Sequence, residues 1–181
     1  MDRVAGPRTR FTREDYEQTP DDWRGELIEG DLLVIPSPTR WHQSLIGKLH
    51  RILLEHFGDE AQHRVLLSPS DVHIDKYNIL QPDILVLPAG LVAGSDEWDE
   101  ALPVWVAEIL SPSTAHRDRG IKLTIYARAG VKEAWLIDPA ADAITVHDLA
   151  SGSARTFGSS ETALSQVLKG LSVPVAAFFE V

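Results

Sequence analysis

The pattern of apolar and polar positions is clearest between residues 103 and 138, PVWVAEILSPSTAHRDRGIKLTIYARAGVKEAWLID. Val104–Leu110 is apolar at nearly every position, as a strand covered on both faces should be; Glu108 alone breaks the run. Ser111–Thr114 reads as a polar turn, and Asp118 is the expected N-cap of a helix that runs to about Ala129 and stops at Gly130. Trp135–Asp138 is the next strand, pairing with Ala143–Leu149 across a turn at 140–142. Upstream, Trp41, Leu45, Ile46, Leu49, Ile52, Leu53 and Phe57 recur at helical spacing, with Gly58 placed to end the helix.

The remaining segments complete a mixed α/β layout. Thr12 with Asp15 caps a short helix, and Glu26–Ile35 folds as a hairpin turning at Glu29–Asp31. Arg64–Asp75 reads as a strand interrupted at Ser68-Pro69-Ser70, with Ile79–Leu87 as its antiparallel partner. Residues 88–102 read as a loop with at most one helical turn, and the C-terminal stretch as a strand through Phe157 plus a closing helical turn at Pro174–Phe179. The polar residues 1–10 are expected to fray. Without a repeat or linker, residues 1–181 read as a single domain.

Composition then removes several classes of function. The 181 residues contain no cysteine, which excludes disulfides, thiolate zinc sites and cysteine nucleophiles and fits a reducing cytoplasm. No apolar run reaches the roughly 20 residues of a membrane span, and the start lacks a signal core, so neither membrane insertion nor export is expected. There is no Gly-x-Ser-x-Gly elbow, no phosphate-binding glycine loop, and the seven histidines lack zinc spacing. A net charge of −10 counts against DNA binding through phosphate contacts alone, unless a local basic patch or bound metal intervenes.

Two acids then stand out, because a carboxylate in a buried strand is costly unless its charge is offset. Asp83 opens one apolar strand, Glu108 sits near the end of another, and Lys122 follows on the helix with Tyr126 one turn later on the same face. Two strand-borne acids plus a base point to a Mg²⁺ site acting on phosphate. Each residue also has a plainer reading: Asp83 as a turn former, Glu108 as half of an ion pair, Lys122 as a surface lysine, Glu26 and Glu29 as solvated hairpin charges. Arg117 and Arg119 meet phosphate or solvent, and His42 lies at a helix start, where anions are favoured.

The segments ELIEG (26–30), WHQ (41–43), QPDILVL (81–87), AEILSPST (107–114) and DRGIKLTIYARAGVKEAWLIDP (118–139) resemble the Uma-two (Uma2) family. This widespread bacterial family is placed with the restriction endonucleases of the PD-(D/E)XK nuclease superfamily. The resemblance implies a restriction-endonuclease-like mixed sheet flanked by helices, with an N-terminal hairpin and a C-terminal strand extension. It implies DNA phosphodiester hydrolysis dependent on Mg²⁺ (or Mn²⁺), with Asp83, Glu108 and the Ile109 carbonyl as metal ligands and Glu26 as a further catalytic acid. The superfamily lysine falls two residues after the glutamate, where this chain has Leu110; Lys122 matches a lysine relocated to the following helix. Gly25 stands where an aromatic residue is usual. A cytoplasmic homodimer is expected. The alternative is a weak or inactive nuclease-fold module that binds or regulates within a homo-oligomer; a third reading buries Trp135 and Phe178-Phe179 between subunits.

Overall fold

The computed structural model describes residues 10–20 and 22–180, so of the stretch 1–10 expected to fray, residues 1–9 lie outside the described residues, while Arg10 donates to the Glu29 carbonyl at 3.0 Å and lies over the Tyr77 ring. The chain opens with α1 (Arg13–Tyr16), capped reciprocally by Thr12 and Asp15 as expected. The hairpin β1 (Gly25–Ile28) and β2 (Asp31–Val34) turns through Glu29 (φ 50°) and Gly30 (φ 82°), the pair of positive dihedrals that a tight hairpin turn needs. Helix α2 (Arg40–Phe57) starts at Thr39, whose hydroxyl accepts from the His42 amide, and ends at Gly58.

The expected strand at 64–75 and its partner at 79–87 are each divided. After the short α3 (Ala61–Arg64), β3 (Val65–Leu67) and β4 (Val72–Asp75) fall in different sheets, as do β5 (Asn78–Leu80) and β6 (Ile84–Val86). Each half still pairs antiparallel as expected, β3 with β6 and β4 with β5. The breaks fall at Pro69 and Pro82, which have no N–H to carry a ladder onward. Asp83 is thereby left at a junction between two sheets, its carbonyl accepting from the Ser68 amide at 3.1 Å.

After α4 (Asp96–Asp99) comes β7 (Trp105–Ile109), then α5 (Ala115–Arg117), a π-helical turn (Asp118–Lys122) and α6 (Leu123–Ala129) in one continuous helical run. The helix therefore begins at Ala115 rather than at Asp118. The Ser111 carbonyl takes the Ala115 amide at 2.9 Å, and the Ser111, Ser113 and Thr114 hydroxyls hydrogen-bond one another, so the turn itself starts the helix. Strands β8 (Glu133–Asp138), β9 (Ala143–Asp148) and β10 (Ser153–Phe157) follow, then the pair β11 (Thr162–Leu164) and β12 (Ser172–Pro174), and α7 (Val175–Phe179).

The main sheet has six strands in the order β10-β9-β8-β7-β6-β3, with β7 and β8 parallel and its other pairs antiparallel. A second antiparallel sheet runs β2-β1-β5-β4. Alternation along β7 sorts its side chains. Trp105, Ala107 and Ile109 join Leu45, Leu49 and Leu53 of α2 in one core, while Val106 packs with Ile125 and Tyr126 of α6 in the other. Glu108 follows Val106 onto the α6 side.

The C-terminal segment is fastened by a residue that periodicity did not single out. Glu133, fully buried, accepts from the Trp105 and Trp135 indoles at 2.9 and 2.8 Å, the Ser165 hydroxyl at 2.6 Å and the Gln166 amide at 2.7 Å. Trp135, Phe178 and Phe179 are buried within the chain itself, so they are not free to form a subunit interface. Their burial comes from α2 and α7 closing over the same face of the sheet.

Candidate active site

The site forms where the central strand β7 meets the junction of the two sheets. Ile84 is opposite Ala107 in the β6–β7 ladder, and one step further along the same register Asp83 comes alongside Glu108. The Ile109 amide donates to Asp83 Oδ2 at 2.7 Å, tying that carboxylate to the strand end. His42, on the first turn of α2, brings Nε2 to 3.3 Å from the same Asp83 oxygen and 3.1 Å from the Ile109 carbonyl.

On the other side of β7, Lys122 gathers three carboxylates. Its Nζ lies 2.7 Å from Glu108 Oε1, 2.9 Å from Glu26 Oε1 and 3.5 Å from Asp118 Oδ1, and all four residues are buried. Glu26 comes from β1 and also accepts the Gln81 amide at 2.9 Å, so the second sheet is anchored to the site through this residue. The Tyr126 hydroxyl donates to Glu108 Oε1 at 2.7 Å. Glu26 is thus a buried ion-pair member and not a solvated hairpin charge. Glu29 keeps the plainer reading, half-exposed and paired with Arg10 and Arg128. Asp118 is corrected from helix cap to cluster member, one turn before Lys122.

Burial and mutual charge set the ionisation of these groups. Burial raises the Glu108 carboxyl well above the usual range; Lys122 opposes this, while the charges of Asp118, Asp83 and Glu26 add to it. Burial likewise raises Asp118. For Lys122 burial works against the charged form, but Glu108, Tyr126, Glu26 and Asp118 outweigh it and hold the ammonium well above its ordinary value. Burial also raises Tyr126 well above normal, with Glu108 reinforcing it. Burial disfavours protonated His42, yet the hydrogen bond and charge of Asp83 prevail and its pKa is raised.

These residues border a cavity of about 480 Å³, whose lining also includes Ile35, Pro36, Pro38, Trp41, Leu110 and Pro112. Asp83, Glu108 and the Ile109 carbonyl offer hard oxygens of the kind Mg²⁺ and Mn²⁺ take. Four carboxyl groups (Glu26, Asp83, Glu108 and Asp118) border the cavity beside the single ammonium of Lys122, and the mutual repulsion that helps raise Glu108 is one that a further cation would offset. Among the described residues no three His, Asp or Glu side chains are gathered closely enough to form a metal cage by themselves. A bound cation would therefore draw on the backbone carbonyl as well. With that contribution the donor set fits a divalent metal.

Sequence reasoning named Glu26, Asp83, Glu108, Ile109 and Lys122, and all five border this cavity. It assigned no role to Tyr126, and its reading of His42 was limited to the helix start. The signal for Asp118 and Tyr126 was spacing: they lie four residues before and after Lys122 on one helical face. Of the two arginines left open between phosphate and solvent, Arg119 pairs with Asp138.

Residues 13–176 match Uma2, described as "Putative restriction endonuclease". The chain belongs to the Uma2 family. A solved structure of similar form is that of a "putative nuclease belonging to DUF820" from Anabaena variabilis ATCC 29413. It is 19% identical, with a TM-score of 0.78 over 93% of this chain and 97% of that one. That likeness establishes the fold: the Uma2 chain has the expected restriction-endonuclease-like mixed sheet flanked by helices. Families of this type generally use a divalent metal. No curated protein matches the sequence. No helix among the described residues is long and apolar enough to cross a membrane.

Proposed function

We propose that this Uma2 chain is an endonuclease that hydrolyses phosphodiester bonds in DNA with Mg²⁺ or Mn²⁺. The observation that carries this reading is the meeting of Asp83, Glu108 and the Ile109 carbonyl beside a buried lysine at the edge of a cavity. Asp83, Glu108 and the Ile109 carbonyl are the residues that would hold the cation. When bound, a divalent cation supplies Lewis-acid polarisation of the phosphoryl oxygens.

The protein's own groups have separable roles. Lys122 sits where a relocated motif lysine is needed, since Leu110 occupies the usual position. Its strongly held proton makes it an electrostatic partner and not a proton acceptor: it offsets Glu26 and Glu108 and adds positive potential where phosphate charge develops. Tyr126 orients Glu108 through the shared Oε1. The Ile109 amide orients Asp83. Glu26 joins the hairpin sheet to the site and limits the motion of Lys122.

A second reading, a nuclease-fold module that binds without cutting, is favoured by the net charge of −10 and by the three carboxylates that already occupy Lys122. One experiment separates the two. Wild type and Glu108→Ala are titrated with Mg²⁺ or Mn²⁺ in the presence of plasmid and single-stranded DNA. Cleavage that depends on metal and disappears in the variant is the expected outcome. Metal binding without cleavage favours the second reading, and no metal binding in wild type removes the nuclease proposal.

A further inference from the structure

The cavity beside Lys122 is more apolar than phosphodiester chemistry by itself explains. Trp41, Pro36, Pro38, Leu110 and Pro112 line it together with the acidic residues. A phosphodiester backbone is charged and hydrated, and burying it against indole and proline surface is costly. A nucleobase fits such surface, because aromatic side chains stack on its faces whatever its identity. The volume of about 480 Å³ is that of a site for one small ligand, for which roughly 300–1,000 Å³ is usual.

Charge points the same way. Among the described residues that line the cavity, Lys122 is the sole lysine or arginine, and three carboxyl groups already surround its Nζ. Holding a run of phosphates takes several cations. A neutral base meets no repulsion from Glu26, Asp83, Glu108 and Asp118, whereas each added phosphate would.

Trp41 is well fixed for stacking. It sits on the first turn of α2, partly buried against the core of the main sheet. Lys48 Nζ lies 5.4 Å from its ring centroid and donates to the Phe178 and Glu180 carbonyls, which ties the indole to the C-terminal segment. Lys48 does not line the cavity, so it steadies the ring without filling the space. Gln43 lines the same cavity with an exposed amide, a donor and acceptor suited to a base edge.

We propose that this cavity takes one unpaired nucleobase, stacked against Trp41 beside the scissile phosphate, so that the substrate is DNA carrying an unpaired nucleotide and not continuous duplex. The inference rests on the nuclease reading for what is cut; the pocket itself needs no metal. In a duplex every base is paired and stacked, and only an extruded or unpaired one reaches such a pocket. A single strand, or a duplex opened at a mismatch, offers that base most readily.

The test is fluorescence anisotropy of the full chain, in EDTA, with three end-labelled DNAs: a single strand, its perfect duplex, and that duplex with one mismatch. The single strand and the mismatched duplex are expected to bind more tightly than the perfect duplex. Trp41→Ala is expected to weaken those two about tenfold, the scale of losing one stacked base, and to leave the perfect duplex unchanged. Trp41→Phe, which retains a ring, should recover most of the loss. Perfect duplex bound as tightly as the others overturns the inference, as does equal weakening of all three DNAs by Trp41→Ala, or no binding at all. Metal-dependent cleavage of perfect duplex would then leave the nuclease reading standing. Unpaired DNA that binds through Trp41 but stays uncut with Mg²⁺ or Mn²⁺ supports the pocket and removes the nuclease reading. Should Trp41→Ala fail to fold, Trp41→Leu, which keeps apolar bulk without the ring, takes its place.

Discussion

Lys122 holds its place because three carboxylates surround it in a buried setting, and each depends on it. Removing one partner of a buried ionic group leaves the others uncompensated, which costs about 3–5 kcal/mol. Lys122→Met is therefore expected to lower stability by about that much in urea denaturation. The loss has a pH signature. Burial raises the Glu108 and Asp118 carboxyls in the folded state, so both favour folding when protonated. That contribution is complete below the unfolded carboxyl range and disappears as pH climbs through the raised values. Without the lysine the effect grows, and the variant should recover part of its lost stability near pH 5 relative to pH 8, while wild type changes less.

Glu133 makes the same point without a cation. Four donors converge on one buried carboxylate, two of them indole N–H groups that have no other partner among the described residues. Glu133→Ala strands several of them, at about 1–3 kcal/mol for each donor left unsatisfied. Thermal unfolding of this variant is expected well below wild type, with the C-terminal segment becoming protease-sensitive first. A small change in melting temperature would show that the carboxylate is dispensable.

At the scale of elements, the entry to β1 explains why glycine occupies position 25. A Cβ there would lie 2.5 Å from the Leu33 carbonyl oxygen and 2.3 Å from the Trp23 ring. Trp23 folds back over the strand and packs edge-on against Tyr16, with ring centroids 5.5 Å apart, so an aromatic group is present but supplied from two residues earlier. Gly25→Tyr should consequently misplace the hairpin and, through Glu26, the Lys122 cluster. Near-ultraviolet circular dichroism and Mn²⁺ affinity are expected to fall together, whereas a tolerated substitution would leave both unchanged. The Glu29–Gly30 turn needs glycine for its positive φ as well as for space, since a Cβ at Gly30 would lie 2.8 Å from Arg10 Cβ. Gly30→Ala is expected to cost about 1–2 kcal/mol.

For the whole molecule, net charge and local charge pull in different directions. The chain carries −10 overall, and its densest buried negative charge lies at the cavity. A divalent cation that binds only the folded state stabilises by about 2.7 kcal/mol at 100 times its dissociation constant. Mn²⁺ should thus raise the melting temperature of wild type and leave Glu108→Ala unmoved; equal shifts in both would place the metal elsewhere. Acid acts at another point. Glu100 is drawn down to about 2, chiefly by its hydrogen bond to Arg13, with His73 adding to it. This contribution is present above the unfolded glutamate range and is lost only as pH falls toward 2, so the contact between α1 and the end of α4 should survive mild acid.

The sequence by itself determined the strands around Glu108 and Trp135, the amphipathic α2 and the hairpin turn, because apolar periodicity and local turn chemistry are properties of consecutive residues. It also marked Asp83, Glu108 and Lys122, since a charge within or beside an apolar strand stands out against the pattern. Only the tertiary structure decided that the strands at 64–75 and 79–87 divide between two sheets, and that Asp118 turns inward rather than capping a helix. It likewise decided that Glu26 crosses from the hairpin to the lysine and that His42 meets Asp83 and Ile109. The contacts of Glu26 and His42 join residues separated by dozens of positions, and no local periodicity encodes them. They arise when two sheets and two helices bury their apolar faces together, and the polar groups caught at the seam must find one another.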